Sequence, residues 1–302
     1  MKNVLLFIST LLFITGLQNV NAKIYAYEKI ENVNNVKFTY DNYNKLKSMG
    51  YSDQSIKFLN VEEYKKVENI RIVSTIQTEE YYYEDVEKYP PQLFINPNIN
   101  IDNDSGASGS QHCDVSESIE TNATRKLTLT ATYYYDEGNG ARFNIRMEVE
   151  WLTIPDILER DYITIIKPDQ LDYAIRKIGN TQYIDFNSGI SNGVSSYQVN
   201  PLDTESYKLA DGGIVVQLPA ISKQNIYQLN CYMSCNFIPN NKNISSVFCQ
   251  GSHLHKKKKF NLDWNGVTLS TTPPFIELSI TGSRKEKYDS ISAYASLENI
   301  SL

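Results

Sequence analysis

Residues 125–152 read RKLTLTATYYYDEGNGARFNIRMEVEWL, and this stretch decides the fold class. On either side of Asp136-Glu-Gly138-Asn-Gly140, apolar and polar side chains alternate with a period of two. That period belongs to a strand with one buried face. Two such runs joined by an Asp/Gly/Asn turn predict an antiparallel hairpin, and Trp151, closing the second run, is expected to anchor the core. Downstream, YITIIK, TQYIDF, VSSYQV, GIVVQLP, IYQLNCYMSCNFI, ISSVFCQG, FIELSITG and SISAYAS follow, separated by Gly, Pro, Asn and Asp. Many short strands with almost no helical period predict a mainly β domain over 113–302. An antiparallel β-sandwich is the expected form, with a β-barrel as the alternative.

Upstream the pattern changes. Thr39 can cap a turn carrying Tyr43, Leu46 and Met49, and Gly50 can close it. Ser52 or Asp53 can cap a second helix through Ile56 and Leu59. Asn60, with Glu63 three residues on, approaches a capping box for a third. A small helical module with a strand, IRIVSTI, is therefore expected over 23–95. Residues 96–112, rich in Asn, Asp, Gly and Ser, read as a linker.

Two stretches resemble uncharacterised exported proteins of Gram-positive bacteria. One is FTYDNYNKLKSMGYSDQSIKFLNVEEY, with its Tyr-x-x-Leu-x-x-x-Gly-aromatic turn ahead of a Glu-Tyr helix. The other is MEVEWLTIPDILERDYITI, where Trp151, Ile154 and Pro155 precede the pair Arg160 and Asp161. The resemblance implies an exported protein with a helical N-terminal signature and a β-rich domain. It implies no activity.

Export is also written in the first residues. Lys2, an uncharged apolar run ending at Leu17, and Val20 and Ala22 at the processing positions make residues 1–22 a cleavable signal peptide. The mature chain is expected to begin at Lys23, to be secreted or held at the cell surface, and to contain no membrane span, the apolar run being shorter than the ~20 residues a spanning helix needs. The 302 residues carry a formal net charge of −6, which disfavours a nucleic-acid partner.

An exported chain with four cysteines suggests disulfides. Cys235 and Cys249 stand symmetrically about a turn centred near Lys242, so a regular hairpin would make them cross-strand neighbours and a bridge. Cys231 and Cys113 would form the second pair. The alternative is a Cys₃His zinc site of Cys231, Cys235, Cys249 and His253, since the same register sets Cys231 opposite His253. The single basic block, Lys256, Lys257, Lys258 and Lys259, reads as a solvated strand end or as a contact for an anionic cell-wall polymer.

Catalytic motifs are lacking. Gly106-Ala-Ser108-Gly-Ser110 misses the nucleophile elbow at its last residue, and three histidines disfavour a His-dependent hydrolase. Tyr81 to Tyr83 and Tyr133 to Tyr135 could stack on sugars, but such runs more often bury alternate rings in a sheet. No catalytic residue and no cofactor is predicted. The leading expectation is a non-enzymatic binding or surface protein. An exported hydrolase acting on an extracellular polymer and an extracytoplasmic metal-binding protein are the alternatives.

Overall fold

The computed structural model describes residues 31–82, 123–156, 158–210, 212–222, 226–257, 267–272, 275–280 and 288–300. The signal peptide, the linker, Cys113, Lys258 and Lys259 lie outside them. The chain divides into two compact units between Asn69 and Ile70.

Among its described residues the first unit holds three helices, α1 (Tyr40–Ser48), α2 (Asp53–Phe58) and α3 (Val61–Glu68). Each starts where a side-chain oxygen takes up an orphaned backbone donor. Thr39 Oγ1 accepts from Asn42 N at 3.1 Å and Ser52 Oγ from Ser55 N at 3.1 Å. Asn60 and Glu63 complete the capping box, at 2.9 and 3.4 Å. Leu46, Met49, Ile56, Leu59 and Val67 are buried. Asn32 ties the helices from inside, donating to Ile56 O at 2.7 Å and Leu59 O at 2.9 Å.

Among its described residues the second unit contains sixteen strands: β1 (Arg71–Tyr82), β2 (Arg125–Asp136), β3 (Gly140–Trp151), β4 (Tyr162–Ile166), β5 (Leu171–Tyr173), β6 (Ile175–Ile178), β7 (Thr181–Ile184), β8 (Phe186–Ser191), β9 (Ser196–Gln198), β10 (Tyr207–Ala210), β11 (Gly213–Gln217), β12 (Leu229–Pro239), β13 (Ser246–Lys256), β14 (Val267–Thr272), β15 (Phe275–Ile280) and β16 (Tyr288–Glu298). One sheet runs β1-β2-β3-β12-β8-β9, with β5 also paired to β12; the other runs β10-β11-β4-β13-β16. Among the described residues the strands of both sheets pair antiparallel throughout. Among the described residues no backbone ladder closes either sheet on itself or joins the two, so the closed barrel is set aside and the expected sandwich stands. IRIVSTI, expected in the helical module, is β1 and belongs to the first sheet, because its alternation finds a partner in β2 rather than in the helices.

The β2–β3 hairpin forms as read, with Leu129 opposite Met147. Gly140 closes its turn at φ +75°, a conformation that L side chains rarely adopt. Leu127, Leu129, Phe143, Ile145, Met147, Val149 and Trp151 point inward and meet Ile163, Ile165, Val216, Val247 and Ala293 of the facing sheet in one core. Gly251 of β13 marks the closest approach: a Cβ there would lie 2.5 Å from Met147 Sδ and 3.1 Å from Leu129 Cδ1. A smaller cluster of Tyr162, Val215, Leu254, Val267 and Tyr288 lies apart, with Leu269 packed against it.

The second expected hairpin is not there. After β12 the segment PNNKN is tied to the loop before β5, with Asn240 N donating to Gln170 O and Asn240 Nδ2 to Asp169 O. The chain then crosses between the sheets. β12 pairs with β3 and β8, whereas β13 pairs with β4 and β16. Symmetric spacing about a turn implies register only when the turn returns the chain to the same sheet. Here it does not, so the register that set Cys235 opposite Cys249, and Cys231 opposite His253, is corrected.

Candidate functional site

The inward phase of β13 carries Val247, Cys249, Gly251, His253 and then His255. Its neighbour β4 begins at Tyr162, and Leu254 is registered with Tyr162. One step further, Asp161 falls beside His255. On the other side of β13, His255 is registered with Asp289 of β16. The facing sheet supplies Arg125 and Trp151, themselves a cross-strand pair. Five elements thus deliver two imidazoles, two carboxylates, a guanidinium and an indole to one end of the core.

Asp161 accepts from both imidazoles. Its Oδ2 lies 3.2 Å from His253 Nε2, and its two oxygens lie 3.0 and 3.1 Å from His255 Nδ1. Arg125 donates to Asp289 Oδ2 and approaches His253 Nδ1 at 3.4 Å. These contacts assign the tautomer of His253. Facing an ionised carboxylate, Nε2 carries the proton; facing a guanidinium donor, Nδ1 keeps its lone pair. Trp151 lies underneath, with its ring 4.5 Å from His255 and 4.7 Å from the Arg125 guanidinium. Cation–π attraction adds to the ion pair there.

The electrostatics follow from burial. Burial alone would push the Asp161 carboxyl up, but His255 and His253 hold it well below the usual carboxylate range. Burial lowers His253, and Arg125 and His255 add to that against the pull of Asp161. His253 is therefore a neutral, fixed imidazole. Three buried atoms around it, Arg125 Nε, Trp151 Nε1 and Asp289 Oδ1, have no hydrogen-bond partner.

The three described cysteines lie on the core face of β12 and β13. Cys231 sits between Val149 and Ile190, Cys235 between Ile145 and Phe186, and Cys249 beside Ala295. All three are buried free thiols. Burial pushes Cys249 up to about 12 and Cys231 and Cys235 well above the ordinary thiol value. Among the described residues no group of three or more His, Cys, Asp or Glu is arranged to hold a metal ion. His253 is inside, as a strand alternation through His253 and His255 requires, but its partners are Asp161 and Arg125.

Of the basic block, Lys256 is committed to Glu159 at 2.7 Å and Lys257 is exposed. The tyrosine runs divide by face. Tyr133 stacks on Phe143 in the core at 5.0 Å, whereas Tyr134 approaches Asn236 Oδ1 at 3.3 Å. Asn192, itself buried, accepts from Val194 N and Ser195 N through its side chain, and from Tyr227 N through its carbonyl. This turn presents Val194 and Tyr227 together, Tyr227 being 77% exposed, one strand-start away from Tyr197 at 47%.

Arg125, Asp161, His255 and Asp289 were not singled out as a site by the sequence. One signal was available: Arg125 is in phase with Leu127 and Leu129, so a charge stands on the buried face of a strand. Such a charge requires a buried partner.

Fold and cluster together define an antiparallel β-sandwich with an internal charged clasp between its sheets. No protein-family profile matches the sequence, and no curated protein matches it. Solved structures with similarity include the major pilin subunit of Bacillus cereus, at 8% identity, TM-score 0.29, over 52% of this chain and 34% of that one. They also include the collagen-binding domain of a Staphylococcus aureus adhesin, at 8% identity, TM-score 0.25, over 52% and 88%. The collagen-binding subdomain of the Enterococcus faecalis surface protein ACE gives 9% identity, TM-score 0.25, over 51% and 84%. The chain thus spans about a third of the length of the pilin subunit. Among the described residues no helix is long and apolar enough to cross a membrane.

Proposed function

We propose that this chain is an exported, non-enzymatic binding or surface protein that contacts an extracellular polymer through its sandwich. The observation that carries the reading is how the reactive groups are placed. His253 and Asp161 are buried and satisfied by each other and by Arg125, and the described thiols are held protonated. A general base needs reach to a substrate proton, and a thiol nucleophile needs a thiolate. Here those groups face each other or the core. Among the apolar side chains that meet solvent are those of the turn with Val194 and Tyr227, and Tyr197 on the three-residue edge strand β9. Aromatic rings with one wet face suit stacking on sugars or apolar polymer segments. Residues 1–22 direct export, and the mature chain begins at Lys23.

Co-sedimentation of the mature protein with insoluble peptidoglycan and with insoluble extracellular-matrix polymers tests the reading. Binding to one of them that falls in the Tyr197→Ala/Tyr227→Ala variant, without change in melting, supports it. Release of soluble fragments from the polymer by the wild-type chain would replace it with the hydrolase reading. N-terminal sequencing of the exported chain checks the start at Lys23, and retained Met1 on secreted material would refute it.

A further inference from the structure

Strands β1 and β16 are the outermost strands of the two sheets on the same side of the sandwich. No backbone ladder joins them among the described residues; side chains do the work instead. Thr78, Glu80 and Tyr82, spaced i, i+2, i+4 on β1, reach the edge of β16. Thr78 Oγ1 donates to Tyr294 O at 2.9 Å, and the Glu80 carboxyl accepts from Tyr294 N. Tyr82 Oη is 2.5 Å from Ser292 O and also hydrogen-bonded to Glu80 Oε2. The period-two spacing matches the outward-pointing groups of residues 292 and 294 in an antiparallel edge strand. An exposed strand edge is a template for adventitious pairing, and this comb covers it.

The hydrogen count at one end of the comb is revealing. Tyr82 has one hydroxyl proton and two oxygen acceptors, Ser292 O and Glu80 Oε2. With Glu80 ionised, one acceptor is left unmatched. With Glu80 protonated, Glu80 donates to Tyr82 Oη and Tyr82 donates to Ser292 O, while the carboxyl still accepts from Tyr294 N–H. Every polar group is then satisfied.

We propose that Glu80 and Tyr82 form a proton-operated latch that fastens β1 over the edge of β16, closed when Glu80 is protonated and loosened when it ionises. The surroundings agree. Burial raises Glu80, against the hydrogen bonds from Tyr82 and Tyr294 N, and burial and Glu80 together keep Tyr82 protonated. The neighbouring charged groups on β1, β2 and β16 are engaged in ion pairs of their own. Arg125, in register with Tyr82 on β2, is paired with Asp289 of β16. Glu79, on the other face of β1, is paired with Lys126 of β2 at 2.8 Å. The other titratable side chains of β16 are the phenols of Tyr288 and Tyr294 and, at the far end of the strand, Glu298. A carboxyl raised in the folded state binds more protons folded than unfolded. Its contribution is thus full below the unfolded value and is lost as pH rises through the folded one. For an exported protein this couples sheet-edge exposure to the pH outside the cell.

The test compares wild type with Glu80→Gln between about pH 4 and 8, around the ordinary glutamate value. Gln keeps both roles of the protonated acid, accepting from Tyr294 N and donating to Tyr82. Amide exchange at Tyr294, corrected for its intrinsic rate and referred to central β13 amides, should quicken in wild type as pH rises. The expected factor is roughly two- to twelve-fold, the equivalent of one net hydrogen bond. Glu80→Gln should match wild type at the acid end and stay flat. A variant that differs from wild type equally at every pH, or a wild type with no pH-dependent exchange at Tyr294, would overturn the latch. Should Glu80→Gln fail to fold, carboxyl-carbon NMR of the wild-type protein decides. Titration of Glu80 above the ordinary range supports the proposal, and titration within it refutes it.

Discussion

Replacing Arg125 by Met probes the clasp between the sheets. The guanidinium side chain is 2% exposed, is paired with Asp289, lies 4.7 Å over Trp151 and approaches His253 Nδ1. Met preserves most of the length and the apolar contact. It leaves Asp289 as a carboxylate only 13% exposed, with one oxygen already unpartnered. Removing one member of a buried pair costs about 3–5 kcal/mol, mainly through the charge left behind. The lost cation–π contact, about 1–2 kcal/mol, overlaps with that figure rather than adding to it. Arg125→Met should therefore destabilise by roughly 3–5 kcal/mol. The double variant Arg125→Met/Asp289→Leu should recover most of the loss, because an apolar pair of similar volume is often no worse than a buried ion pair. Urea unfolding of the mature chain followed by Trp fluorescence measures both, with an unchanged slope guarding the comparison. A single variant within about 1 kcal/mol of wild type would refute the clasp. So would a double variant that costs the sum of the two singles, since pairing would then carry no coupling.

Acid should weaken the sandwich through His253. Its folded value is lowered, so the unfolded chain binds more protons; the contribution is full above about pH 6.5 and falls as pH drops below it. Asp161, also depressed, contributes above about pH 3.9 and loses its share only further down, as pH falls through its folded value. Glu80 runs the other way, so urea midpoints are best titrated in Glu80→Gln, where no loss on acidification would contradict the neutral, buried His253. Gly251→Ala pushes a methyl against Met147 Sδ and should cost about 1–3 kcal/mol, less in a Met147→Val background; equal costs in both would misplace the sheet contact. Cys235 and Cys249 should resist alkylation in the native chain and react after denaturation without reductant. Absence of label at either would revive the cross-linked pairing. Asn60→Ala should cost the helical unit about 1 kcal/mol, read by thermal melting, and no change would discount its capping box.

Local pattern determined what local physics controls. The β2–β3 hairpin was legible because alternation and an Asp/Gly/Asn turn act over adjacent residues. The helix starts at Thr39, Ser52 and Asn60 were legible because a cap acts over three. His253 could be placed inside by its phase on a strand. Partner choice was not available in the same way. Whether the turn at PNNKN returns a strand to its own sheet or sends it across depends on Asn240 finding the carbonyls of residues 169 and 170, seventy positions away. That crossing put Cys235 and Cys249 on strands of different sheets and gave His253 Asp161 and Arg125 as its hydrogen-bonding company. The same holds for β1, whose alternation predicted a strand but whose partner, β2, lies beyond the expected linker. Side-chain phase is a property of the segment. Strand neighbours and the counter-ions of buried charges are properties of the packed whole, and only the tertiary structure decided those.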